Sequence, residues 1–159
     1  MSELFYVETE RCCIREFQEK DLDVFMSYRN DLEWMTHQTF KGLSKEVYKM
    51  QLIQKFDINT GGQLAIINRN DAALLGDLYV VKHESEINIG YTIHPKYARQ
   101  GYISEVVKEL IIVLIHRYPG IKIVADATID NLPSIKLLEK VGFKWVKTSD
   151  GNTYYEYKR

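Results

Sequence analysis

A mixed α/β fold, a twisted and mostly antiparallel sheet of about seven strands with about four helices on its faces, is the architecture this sequence predicts. Three observations predict it. The hydrophobic pattern alternates between period 2 and period 3.6 in the order β-α-α-β-β-β-α-β-α-β-β. Strict strand-helix alternation is absent, which disfavours a doubly wound parallel sheet. The 159 residues, 45% hydrophobic and 27% charged, suit one compact domain over 1–159 with a sizeable core.

The elements follow in order. Residues 12–17 read as a first strand, and Asp21-Leu22-Asp23 opens a helix with Leu22, Phe25 and Met26 on one face and acids where the helix dipole favours them. Ser44 is the expected N-cap of a second helix through Phe56, with Val47, Met50 and Ile53 as its apolar stripe. Asn59-Thr60-Gly61-Gly62 ends it. Strands at 64–67 and 74–82 flank a turn at 68–71 and should form a hairpin. The strand at 86–94 alternates, with Ile87, Ile89, Tyr91 and Ile93 on one face and Glu86, Asn88, Gly90, Thr92 and His94 on the other. Residues 103–118 form a strongly periodic helix that Pro119-Gly120 terminates. A short β-branched strand follows at 121–127, then a helix opened by Asn131-Leu132-Pro133 and closed by Gly142. Strands at 143–147 and 153–157 pair around Asp150-Gly151.

Composition removes several classes of function. A net charge of −1 with no long Lys/Arg run gives no support to nucleic-acid binding. The N-terminal residues do not read as a signal peptide, and the longest apolar run, 110–115, is too short to span a bilayer, so a cytoplasmic location with no membrane partner is expected. Cys12 and Cys13 are neighbours whose side chains point to opposite faces of a strand, and a disulfide between them is not expected. The four histidines have no metal-ligand spacing, so no metal is expected, and no GxxxxGK[ST] follows any strand. A homodimer is compatible with the sequence but no motif encodes one.

The chemistry is concentrated where the strand at 86–94 passes through a loop into the helix at 103–118. A chain turning through Gly101 into a helix start leaves backbone N–H groups without intrahelical partners, and the positive end of the dipole joins them at an anion site. Lys96 and Arg99 add charge. Taken alone, Gly101 is equally the residue that permits a sharp turn into a core helix.

Further residues give the segment context. Ile89-Gly90-Tyr91, Pro95, Gly101-Tyr102 and Glu105 occur in that order, and a second run holds Asn131, Ser134, Leu137-Leu138, Glu139-Lys140 and Gly142-Phe143. With Ile14-Arg15-Glu16-Phe17 and the acidic helix start at Asp21, these resemble the GNAT superfamily, and within it the ribosomal-protein N-terminal acetyltransferase-like and spermidine acetyltransferase-like branch. The resemblance spans nearly the whole chain. It implies the GNAT fold and an acetyl-CoA-dependent N-acetyltransferase that moves an acetyl group directly to a primary amine: a protein N-terminus, a polyamine or another small amine. A catalytically silent acyl-CoA-binding module is the alternative. Two departures stand out: the phosphate loop, here 98–103, keeps only its central glycine and ends in Ile103, which would narrow the approach to it, and Leu138 occupies the family's usual tyrosine acid position.

By this resemblance the splayed backbone at Thr92 and Ile93 takes the pantetheine arm, and Arg99, Gln100, Gly101, Tyr102, Ile103 and Ser104 hold the pyrophosphate. Asn131 both caps its helix and meets the pantetheine amides. Transfer to an amine needs a neutral nucleophile, a polarised thioester and a proton for the thiolate. Glu86, on the face of Asn88, is the leading general base, or else a solvated carboxylate at a strand end beside a water-relayed path. Ser134 is either a hydrogen-bond donor to the leaving sulfur or a first-turn helix cap. Acceptor specificity is expected from Trp34, Met35, Thr36, His37 and Phe40 between the first two helices, and from the hairpin near Tyr154.

Overall fold

A computed structural model describes residues 5–158. Its strands are β1 (Tyr6–Glu8), β2 (Cys12–Glu16), β3 (Gly62–Asn68), β4 (Leu74–His83), β5 (Glu86–Ile93), β6 (Lys122–Thr128), β7 (Phe143–Ser149) and β8 (Asn152–Tyr157). The helices are α1 (Leu22–Arg29), α2 (Lys45–Leu52), α3 (Tyr102–Arg117) and α4 (Leu132–Val141). The strands make one sheet in the order β1-β2-β3-β4-β5-β6-β8-β7. Only β5 and β6 pair in parallel.

The sheet has one strand more than the periodicity suggests. β1 is three residues long and carries no period of its own; it exists through its pairing with β2, Val7 opposite Ile14. Helix α2 is capped as expected, with Ser44 Oγ accepting from the Val47 amide, but its buried face differs. Tyr48 and Leu52, four residues apart, point into the core, while Met50 is 76% exposed and Val47 is also exposed. Tyr48 combines a large apolar ring with a hydroxyl that donates to Asn30 Oδ1 at 2.6 Å, which a purely apolar stripe count overlooks. The helix also stops at Leu52, short of Phe56, whose ring packs on Phe5 and whose amide donates to Glu16 Oε1 at 2.6 Å.

Each face of the sheet is covered. Ile87 and Ile89 of β5 join Val106, Val107, Leu110 and Leu114 of α3 in the larger core. Phe25, Tyr28, Tyr48 and Leu52 of α1 and α2 pack with Cys13, Ala65 and Ile67 on the other side. Cys12 and Cys13, both free, fall into these two different cores. No helix among the described residues is long and apolar enough to cross a membrane.

Candidate active site

The sheet opens at one place. β5 and β6 pair over Glu86–Asn88 and Lys122–Val124 and then part, although β5 stays on β4 to Ile93 and β6 stays on β8 to Thr128. The His94 amide donates to the Leu75 carbonyl. Bonded residues alternate along an antiparallel ladder, so the amides and carbonyls of Tyr91 and Ile93 turn away from β4 and into the opening. Thr92, by the same alternation, keeps its backbone groups in the β4 ladder, and its hydroxyl accepts from Arg29 Nη2 at 3.1 Å. The backbone that faces the opening is therefore that of Tyr91 and Ile93, with Thr92 supporting it.

A cavity of about 580 Å³ fills this opening and runs to the start of α3. Gly101 caps that helix with φ +80°, a left-handed conformation that a Cβ disfavours. The first intrahelical bond runs from the Glu105 amide to the Gly101 carbonyl, which leaves the amides of Tyr102, Ile103 and Ser104 without intrahelical acceptors. Ser104 Oγ donates back to Gly101 O. The Ile103 side chain packs in the core at 7% exposure while the residue also lines the cavity. Arg99 (itself at φ +63°), Lys136 and Lys140 put positive charge on the wall. Gln100 does not line the cavity: its carbonyl accepts from Arg11 Nη1 at 3.0 Å and its side chain reaches back to Lys96 O.

Glu105 ties this helix start to the sheet edge. It accepts from Arg11 Nε at 2.7 Å, from the Arg11 amide at 2.9 Å and from the Thr9 hydroxyl, while the Arg11 guanidinium lies over the Tyr102 ring. Burial pushes the Glu105 carboxyl up, but these bonds outweigh it and hold it below the usual range.

Across the opening, Tyr91 Oη lies 2.8 Å from Ser134 Oγ and 3.2 Å from the Ser134 carbonyl. Burial raises the Tyr91 hydroxyl to about 12, against the smaller opposing effect of Ser134. Asn131 caps α4 by accepting from the Ser134 amide, and both residues line the cavity. Leu138 is fully buried in the core and offers no hydroxyl. A tyrosine hydroxyl is thus present at the opening, supplied by β5 rather than α4.

The connection between α1 and α2 crosses the opening from the other side. Trp34 Nε1 donates to Ile93 O at 2.8 Å and Gln38 Nε2 to Tyr91 O at 3.5 Å. Between them His37 Nδ1 lies 3.1 Å from Thr128 Oγ1 on β6 and 3.6 Å from Asp130 Oδ1. Arg29 anchors this connection, bonding Asp77 and the Phe40 carbonyl from a site only 2% exposed. Met35 and Phe40 belong to the core beneath, and Thr36 points to solvent.

Glu86 is not brought to this group. It lies six residues before Thr92, about 20 Å along the strand, exposed opposite His83 and Lys122 at the closed end of the opening. Glu86 therefore shares the strand of Tyr91 and Ile93 but not the opening. Tyr154 faces Asp126 across β8 and β6 and does not line the cavity. Burial pushes the Cys12 thiol up to about 11, which suits packing rather than nucleophilic attack.

Comparison with known proteins gives a consistent picture. The family model described as acetyltransferase (GNAT) domain matches residues 11–144. The N-acetyltransferase YnaD of Bacillus subtilis (strain 168), itself uncharacterised, is 25% identical over 141 residues, which is 87% of this chain and 82% of that protein. A GNAT-family acetyltransferase from Bacillus anthracis superposes with a TM-score of 0.84 at 22% identity, covering 96% of this chain and 97% of that one. Spermidine N-acetyltransferase from Vibrio cholerae, solved with CoA and spermine, superposes with a TM-score of 0.71 at 13% identity over 92% and 93% of the two chains.

Proposed function

Since the chain belongs to the acetyltransferase (GNAT) family, we propose that it binds acetyl-CoA in the opening between β5 and β6 and transfers the acetyl group directly to a primary amine. The observation that carries this reading is the join between the parted strands and the start of α3. One cavity meets the outward backbone of Tyr91 and Ile93 at one end and three unpartnered helix amides at the other.

The residues present fit the donor. Tyr102, Ile103 and Ser104 offer amides to a pyrophosphate, with Gly101 allowing close approach and Arg99, Lys136 and Lys140 supplying charge. Tyr91 and Ile93 offer strand-edge amides to the pantetheine arm, and the same amides can polarise a thioester carbonyl. Asn131 faces the cavity with an amide that both donates and accepts.

The Tyr91–Ser134 pair is suited to the leaving sulfur. Tyr91 holds its proton firmly and Ser134 hydrogen-bonds it, so one hydroxyl can donate to the sulfur while the other orients it. The acceptor is a primary amine entering on the side of Trp34 and His37. The polyamine complex of the Vibrio cholerae neighbour makes a polyamine one acceptor to test, beside a peptide N-terminus.

Two measurements test the reading. Calorimetry should show acetyl-CoA binding to the wild type, with a weaker Kd for Gly101→Val, whose β-branched side chain opposes φ +80° at a cost of about 1–3 kcal/mol. Thiol release from acetyl-CoA should then depend on an added amine such as spermidine or an N-terminal serine or alanine peptide. No binding, or wild-type affinity in Gly101→Val, would show the donor to lie elsewhere.

A further inference from the structure

The cavity has no carboxylate in its lining among the described residues. Its titratable groups are Tyr91, Tyr97, Tyr102, Arg99, Lys136, Lys140 and His37. Lysine and arginine are donors at neutral pH, and Tyr91 retains its proton. That leaves one side chain with a nitrogen lone pair to offer an incoming ammonium.

His37 is also the one that is oriented. Flanking side chains fix its segment to β5, through Trp34 on Ile93 and Gln38 on Tyr91, while the ring itself reaches across to β6. In the tautomer that donates Nδ1–H to Thr128 Oγ1, the lone pair lies on Nε2, which has no protein partner among the described residues. The bond from Thr128 holds the Asp130 carboxyl below its usual range. Asp130 is the only ion-pair partner of His37 among the described residues. The next carboxylate on that face of β6, Asp126, is occupied by Asn88 and Asn152 and stays outside the cavity.

Resting on the acetyltransferase reading above, we propose that His37 is the general base of the reaction, with Thr128 and Asp130 as its positioning residues. His37 Nε2 takes one proton from the acceptor ammonium, and the neutral nitrogen forms the new C–N bond at the thioester carbonyl carbon. The C–S bond breaks as the tetrahedral adduct collapses and the sulfur leaves with its electron pair. The second nitrogen proton reaches that sulfur through the Tyr91 and Ser134 hydroxyls, and the proton on His37 returns to solvent. The balance is an amide, a thiol and one released proton from an ammonium and a thioester.

The test compares wild type, His37→Gln, Asp130→Asn and Asp126→Asn with acetyl-CoA and three amines: spermidine, an alanine-initiated peptide and hydroxylamine, whose nitrogen is already neutral at pH 7. His37→Gln should lower kcat for the amine turned over by about 10²–10⁴-fold, the range for loss of a general base. Its acetyl-CoA Kd should stay within twofold, and hydroxylamine should recover most of the rate. Asp130→Asn should lower kcat several-fold at unchanged KM. A His37→Gln enzyme within threefold of wild type overturns the proposal, as does an equal loss with hydroxylamine or a larger loss in Asp126→Asn. Wild type that binds acetyl-CoA but turns over none of the three overturns the transferase reading and the base with it, an outcome distinct from an active His37→Gln.

Discussion

At the scale of single residues, the opening holds a tyrosine hydroxyl whose contact with Ser134 no sequence motif marks. The position where the resemblance places a tyrosine acid holds Leu138, fully buried, yet Tyr91 reaches the same opening from the facing strand and contacts Ser134. The cap at Asn131 and the helix start at Gly101 could be read from the chain because their local geometry is set by near neighbours. The Tyr91–Ser134 and His37–Thr128 contacts join residues 43 and 91 apart, and nothing local distinguishes those side chains. The distance of Glu86 from the opening was not legible for a related reason: alternation tells which face of a strand a residue occupies, not how far along it the neighbouring strand departs. If Tyr91 donates to the leaving sulfur, Tyr91→Phe should lower kcat by about 10²–10³-fold, the cost of losing one aimed donor. Affinity for acetyl-CoA should change little, because the backbone of residue 91 is retained. Steady-state kinetics beside calorimetry would separate the two, and an undiminished kcat would leave Ser134 or water as the donor.

At the scale of elements, legibility follows the strength of the local pattern. Helix α3 was expected over 103–118 and runs Tyr102–Arg117, because its period is long, its face wholly apolar and both ends are marked by glycine or proline. β1 was missed, being short and dependent on β2, and the face of α2 was rotated because Tyr48 is both apolar and polar. One inter-element tie has a pH dependence whose sign can be worked out. Glu105 of α3 holds Arg11 and Thr9 beside the sheet edge, and its folded-state pKa lies below the unfolded value despite the opposing effect of burial. A depressed carboxylate stabilises the folded state above its unfolded pKa of about 4.3, and that contribution disappears as pH falls through the lower folded value. Glu105→Gln should therefore be less stable than wild type at pH 7, with the gap closing below about pH 4. Urea unfolding of both proteins from pH 7 to pH 3 measures this, and a gap constant with pH would mean that the tie owes nothing to ionisation.

At the scale of the molecule, the opening divides the sheet into two halves. β1 to β5 form one and β6 to β8 the other, joined within the sheet only by the pairs from Glu86 to Asn88. Elsewhere the halves meet through α3 and α4 packed on one face and through His37 reaching Thr128 on the other. A donor lying in the opening would touch both halves at once: Tyr91 and Ile93 on one side, Asn131 and Ser134 on the other, and the start of α3 at its end. None of these groups is assembled in the unfolded chain, so acetyl-CoA held there would bind the folded state alone. At about 100 times its Kd it should add roughly 2.7 kcal/mol to stability. For a chain of this size each kcal/mol raises Tm by about 2–4 °C, so the shift should be roughly 5–11 °C. CoA should give a shift close to that of acetyl-CoA, since the acetyl group adds few contacts. A nucleotide with the phosphates but no pantetheine arm should give much less, because it engages the α3 amides and leaves the gap between the strands unfilled. Thermal unfolding at graded ligand concentrations tests this ordering. An equal shift from the bare nucleotide would place the binding energy at the helix start alone, and no shift at millimolar acetyl-CoA would remove the donor from the opening altogether.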